Sequence, residues 1–99
     1  MNMQAILKQA QSLQKDMMKE QEKINSSTFE GESSLVKVKI NGKKEILEVI
    51  IDKTSSMDAD DLEALQDMIM IAVNDAMKKV DKMTNDKMGK FANGMPGLF

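Results

Sequence analysis

The sequence predicts an α+β fold in the order helix, strand, strand, strand, helix, with a small antiparallel sheet between two long helices. Three observations predict it. Residues 35–52, LVKVKINGKKEILEVIID, set two runs rich in Val and Ile around Asn41-Gly42, the strongest short-range hairpin signal. Residues 2–25 and 58–88 hold strong helix formers with apolar residues at helical spacing and contain neither Gly nor Pro. A hairpin alone is unstable in water, so a third strand is expected around residues 28–32, with Phe29 as its core anchor.

The first helix is expected from Asn2 to about Asn25. Met3, Ile6, Ala10, Leu13, Met17 and Ile24 follow a heptad spacing broken at Glu20. At ~100° per residue, Lys8, Lys15, Lys19 and Lys23 fall within an arc of roughly 80°, nearly opposite that stripe. Most such faces are simply solvated; the functional reading is a lysine ridge that tracks a phosphate backbone.

In the hairpin, Val36, Val38 and Ile40 are expected on one face with Leu47, Val49 and Ile51, covered by the two helices. A loop at Asn41-Gly42-Lys43-Lys44 would set Lys37 opposite Glu48 and Leu35 opposite Ile50. The other face would carry Leu35, Ile46 and Ile50 beside charges, which is apolar enough to want a partner chain.

Asp58 is the expected N-cap of the second helix, with Asp61 at N3. The carboxylates Asp58, Asp60, Asp61 and Glu63 suit the positive helix N-terminus. A metal site is the other reading, but the spacing lacks the glycine and distal Glu of a calcium loop. Leu62, Leu65, Ile69, Ala72, Val73, Ala76, Val80 and Met83 make the core stripe, while Met68 and Ile71 point away and suggest a second buried surface. Lys78, Lys79, Lys82 and Lys87 cluster near the helix end. Residues 1–88 read as one domain and 89–99, GKFANGMPGLF, as a flexible tail with apolar anchors at Met95, Leu98 and Phe99.

Composition narrows the function. The 99 residues contain no Cys and no His, which removes disulfides, metal sites built on those ligands and every His-based catalytic dyad. No nucleophile–base pair, phosphate loop or dinucleotide fingerprint is present, so no enzyme, cofactor, metal or small-molecule substrate is expected. Nor is a membrane span or a leader, and a cytoplasmic location fits. A chain of this length buries only about 60–65% of its unfolded surface, so dimerisation would help it. Leu35, Ile46, Ile50, Met68 and Ile71 are the expected dimer surface.

All fourteen basic residues are Lys, and the formal net charge is −2. Without Arg there is no fork to read guanine edges, so any DNA contact should go mainly to phosphates. The charge is unevenly spread. Residues 54–76 carry six acids and no base, whereas residues 77–99 carry five Lys against two acids. Met occurs eleven times; it serves as adaptable core filler or as a pliant binding surface.

Nearly the whole chain resembles the YbaB/EbfC family of bacterial nucleoid-associated proteins. The resemblance is carried by KQAQSLQKDMMKEQEKI, EGES, LVKVKINGKKEILEVIID, MDADDLEALQDMIMIAVNDAMKKVDKMTNDKMGKF and MPGLF. It is specific in the combination of NG-x-x-E-I, the run Asn74–Lys79, Met88–Phe91 and the PGLF ending. It implies an α-β-β-β-α fold and a homodimer whose helices project like tweezers. It also implies binding of double-stranded DNA at the cytoplasmic nucleoid, with little sequence specificity and a role in nucleoid organisation and gene regulation. Carried onto this chain, the DNA contacts fall on Lys8, Lys15, Lys19 and Lys23 of the first helix and Lys78, Lys79, Lys82, Lys87 and Lys90 of the second. The chain departs from the family in three places. Ser33-Ser34 runs into Leu35 without a Gly-rich connector, Ala59 stands where Pro is common, and Arg is absent. The alternative function is a dimeric protein-interaction module whose lysines only solubilise it.

Overall fold

The computed structural model describes residues 2–52 and 58–94, with side chains through residue 91. Its elements are α1 (Met3–Ser26), β1 (Thr28–Ser33), β2 (Val36–Asn41), β3 (Ile46–Ile51) and α2 (Ala59–Gly94), so the expected α-β-β-β-α order holds. The expected loop at residues 53–57 and the tail anchors Met95, Leu98 and Phe99 lie outside the described residues. The sheet is antiparallel in the order β1-β2-β3. The molecule is elongated, 72 × 19 × 14 Å, because α2 alone has 36 residues and so runs about 54 Å.

α1 starts where Asn2 caps it: the Asn2 side chain accepts from the Gln4 N–H at 3.0 Å. α2 begins with a reciprocal cap. The Asp61 N–H donates to the Asp58 carboxylate at 3.0 Å and the Asp58 N–H donates to that of Asp61 at 3.1 Å. Asp58→Ala removes half of this box and should cost about 1 kcal/mol, read as a lower urea midpoint.

α2 ends at Gly94 rather than Met88, so residues 89–94 are helical instead of tail. The reason is packing: Met88 and Phe91 are both buried and continue the apolar stripe onto α1. Ile24, Phe29, Val36, Val38, Ile40, Ala72, Ala76 and Val80 complete the core. Leu13, Met17, Leu65, Ile69, Val73 and Met83 pack against it as the stripes require. Met68 does too, although it was expected to face away.

β1 and β2 join through the tight turn Ser34-Leu35, with Ser34 left-handed at φ 50°. The β2–β3 connection differs from expectation in register. Asn41 N–H donates to the Glu45 carbonyl, so the loop is Gly42-Lys43-Lys44, and Lys44 takes the left-handed conformation at φ 65°. Asn41 organises it: its side-chain oxygen accepts from the Lys43 N–H at 2.9 Å and the Glu45 N–H at 3.0 Å. An odd loop alone would invert the faces of β3. A register shift next to Ile40 compensates, pairing Ile40 with Ile46 and then Lys39 with Glu48, Val38 with Val49 and Val36 with Ile51. Lys37 therefore faces Ile50, not Glu48, and Ile46 sits opposite Ile40 rather than with Ile50.

The cover over the sheet is also narrower than expected. α2 packs across β1 and β2, and its described backbone stays more than 8 Å, Cα to Cα, from β3. Val36, Val38 and Ile40 are sealed, whereas all six residues of β3 are exposed on both faces. Leu47, Val49 and Ile51, expected in the core, are at least 40% exposed.

Candidate nucleic-acid interface

α1 is fixed at one end and free at the other. Ile24 is 2% exposed at the sheet, and the Gly42 N–H donates to the Asn25 carbonyl at 3.2 Å, so the hairpin loop caps the helix C-terminus. Gly42 is required here by proximity, not by a turn conformation. A Cβ on it would lie 1.9 Å from the Ile24 carbonyl oxygen. α2 leaves the sheet antiparallel to α1, with Phe91 reaching the level of Asp16 to Lys23. The two helices thus project together from the sheet, and residues Met3–Ser12 of α1 are exposed throughout.

Lys8, Lys15, Lys19 and Lys23 are all exposed on α1. The ridge from Lys8 to Lys23 is about 22 Å long, the length of about six phosphates along one DNA strand. Two lysine clusters form around it and on α2. Lys19, Lys23 and Lys90 ring a depression of about 350 Å³ with Asp16, Glu20 and Phe91. Lys90 is held there partly by its ammonium lying 5.1 Å from the Phe91 ring centre. Lys79, Lys82 and Lys87 ring a second depression of about 290 Å³ floored by Phe29 and Met83, with Asp86 beside them. Lys8, Lys15 and Lys78 belong to neither cluster.

Lys79 differs from the others. Its ammonium donates to the Glu30 carbonyl at 2.6 Å and pairs with Asp75 at 3.5 Å. Its charge is already partly answered within the fold. Lys37 and Lys39 are answered too, by Glu30, Glu32 and Glu48 across the outer sheet face. Lys44 pairs with Asp81 at 2.8 Å, a contact no sequence window could display. At the opposite end of α2, Asp58, Asp60, Asp61, Glu63 and Asp67 are all exposed. Among the described residues no group of three or more acids, Cys or His is placed to hold a metal, and no helix is long and apolar enough to cross a membrane.

The expected dimer residues do not form one class. Ile46, Ile50 and Ile71 are exposed, Leu35 and Met68 are half-buried, and Met68 packs on the core. Leu47, Val49 and Ile51 are additional open positions, and so are Leu62 and Met70 on α2.

The sequence profile of the YbaB/EbfC DNA-binding family matches residues 1–95. The chain belongs to the YbaB/EbfC DNA-binding family. It is 45% identical to a nucleoid-associated protein of Ligilactobacillus salivarius, over 99% of this chain and 95% of the relative. It is 46% identical to nucleoid-associated protein LL0120 of Lactococcus lactis, over 97% of this chain and 98% of the relative. A Bacillus licheniformis nucleoid-associated protein is 51% identical over 79% of this chain and 72% of its own. Among solved structures, the uncharacterized protein HP0035 from Helicobacter pylori is similar with a TM-score of 0.63 and 25% identity, covering 98% of this chain and 99% of that one. Family membership agrees with the element order above and gives the exposed helix lysines their context.

Proposed function

We propose that this YbaB/EbfC-family chain binds double-stranded DNA at the cytoplasmic nucleoid as a homodimer, through phosphates and without sequence readout. One observation carries the reading. The lysines of α1 and of the second half of α2 stand exposed on two helices that leave the sheet together, while Asp58, Asp60, Asp61, Glu63 and Asp67 gather at the other end of α2; of the three acids further along α2, Asp75 and Asp81 are paired with Lys79 and Lys44 and Asp86 stands beside the second cluster. A duplex meeting the lysine end escapes most of the acidic repulsion despite the net charge of −2. Lys8, Lys15, Lys19, Lys23, Lys82, Lys87 and Lys90 are the contacts this arrangement favours. Lys79 is tied to β1 through the Glu30 carbonyl and to Asp75, so it contributes less. The partner subunit covers β3, using Ile46, Leu47, Val49, Ile50 and Ile51, with Ile71 from α2. Leaving those side chains in water would forfeit on the order of 1 kcal/mol or more each.

The test is a salt titration of DNA binding. A dimer engaging about six phosphates gives a slope of log K against log salt near −5. A slope near zero would sink the proposal. The interaction-module reading is favoured by exposed Met3, Ile6, Leu7 and Met18 on α1. A stoichiometric protein partner held after nuclease treatment, together with no DNA shift, would support it instead.

A further inference from the structure

β1 and β3 are the two edges of the sheet, and they are built differently. β3 is open: among the described residues no backbone hydrogen bond outside the β2–β3 ladder involves Ile46–Ile51. β1 is closed by α2. Gly31 lies against the α2 backbone so tightly that a Cβ would sit 1.9 Å from the Ala72 carbonyl oxygen and 2.6 Å from the Ala76 nitrogen. The side chains of α2 then reach the strand's own polar groups. The Glu32 N–H donates to the Asp75 carboxylate at 3.2 Å, and the Lys79 ammonium donates to the Glu30 carbonyl at 2.6 Å. Glu30 and Glu32 are alternate residues, so these backbone groups belong to one side of the strand, the side turned from β2. They are the groups an added strand would use. Asp75 and Lys79 also pair with each other at 3.5 Å, which holds both in place.

We propose that Asp75 and Lys79 make β1 a blocked edge, so that a second copy of this chain is accepted at β3 alone and edge-to-edge growth stops at two subunits. The inference rests on the homodimer proposed above. Two open edges on one sheet would allow β3 of one copy to pair with β1 of the next, a head-to-tail contact that does not close and grows into filaments. With β1 answered internally, only the self-complementary β3–β3 contact is left, and it closes.

Light scattering on the full chain across a wide concentration range tests this, with far-UV circular dichroism to follow the fold. The wild type should hold the dimer mass throughout. Asp75→Ala/Lys79→Ala should keep its helix content while its mass rises with concentration, to about twice the dimer mass or more. Asp75→Asn/Lys79→Arg keeps an acceptor and a donor and should stay dimeric. Hydrogen exchange gives a second readout independent of assembly: Asp75→Ala should speed exchange of the Glu32 amide at least about tenfold. A folded Ala double variant that stays dimeric at every concentration would overturn the blocked edge while leaving the homodimer intact. A monomeric wild type would overturn the homodimer itself, and the inference with it.

Discussion

Gly31→Ala should lower stability by about 3 kcal/mol, the upper end of what overpacking costs, because the added methyl meets backbone rather than a side chain. The Ala72 carbonyl oxygen would lie 1.9 Å from the new Cβ, and no rotamer change can relieve that. α2 would have to lift from β1, opening the layer that holds Phe29, Ala72 and Ala76. A total stability of about 5–15 kcal/mol makes this a large share. Gly89→Ala is the control. Nothing lies within 4 Å of the Cβ built there, and the site is in helix, so this change should stabilise by a few tenths to about 1 kcal/mol. Urea unfolding followed by circular dichroism compares the two. Equal effects would show that β1 and α2 are not in the close contact described.

Lys15→Glu/Lys19→Glu should weaken DNA binding on the order of 10³-fold at 0.1 M salt. Both side chains are exposed, and Lys19 belongs to the cluster with Lys23 and Lys90. In the proposed dimer about four phosphate contacts are lost, each worth about 0.9 of slope, so about 0.9 decade between 1 M and 0.1 M salt. The loss should be the same on unrelated duplexes, since phosphates carry no sequence. A loss confined to one sequence would contradict phosphate reading. Lys79→Ala is the internal comparison: its ammonium is already engaged by Glu30 and Asp75, so affinity should fall less than for Lys82→Ala.

The candidate site was legible in part. Exposure of the four α1 lysines follows from their helical arc opposite the apolar stripe. The grouping of Lys19 and Lys23 with Lys90 does not, because it depends on α1 and α2 lying antiparallel. Asp75 read only as one more acid of the acidic stretch. Its bond to Glu32 spans 43 residues and that of Lys79 to Glu30 spans 49, beyond any local pattern.

By itself the sequence determined the elements: two amphipathic helices, the second with its cap at Asp58, three strands and their order. Each is written in residues a few positions apart, where periodicity, capping and turn chemistry act. The tertiary structure decided what those elements do to one another. It shortened the expected four-residue loop to Gly42-Lys43-Lys44 with Lys44 left-handed and used a shift beside Ile40 to return β3 to phase. It set Gly31 and Gly42 against distant backbone, closed one sheet edge with Asp75 and Lys79, and left β3 bare. Those outcomes depend on which surfaces α2 can reach, and a helix that packs across β1 and β2 leaves the third strand to something else.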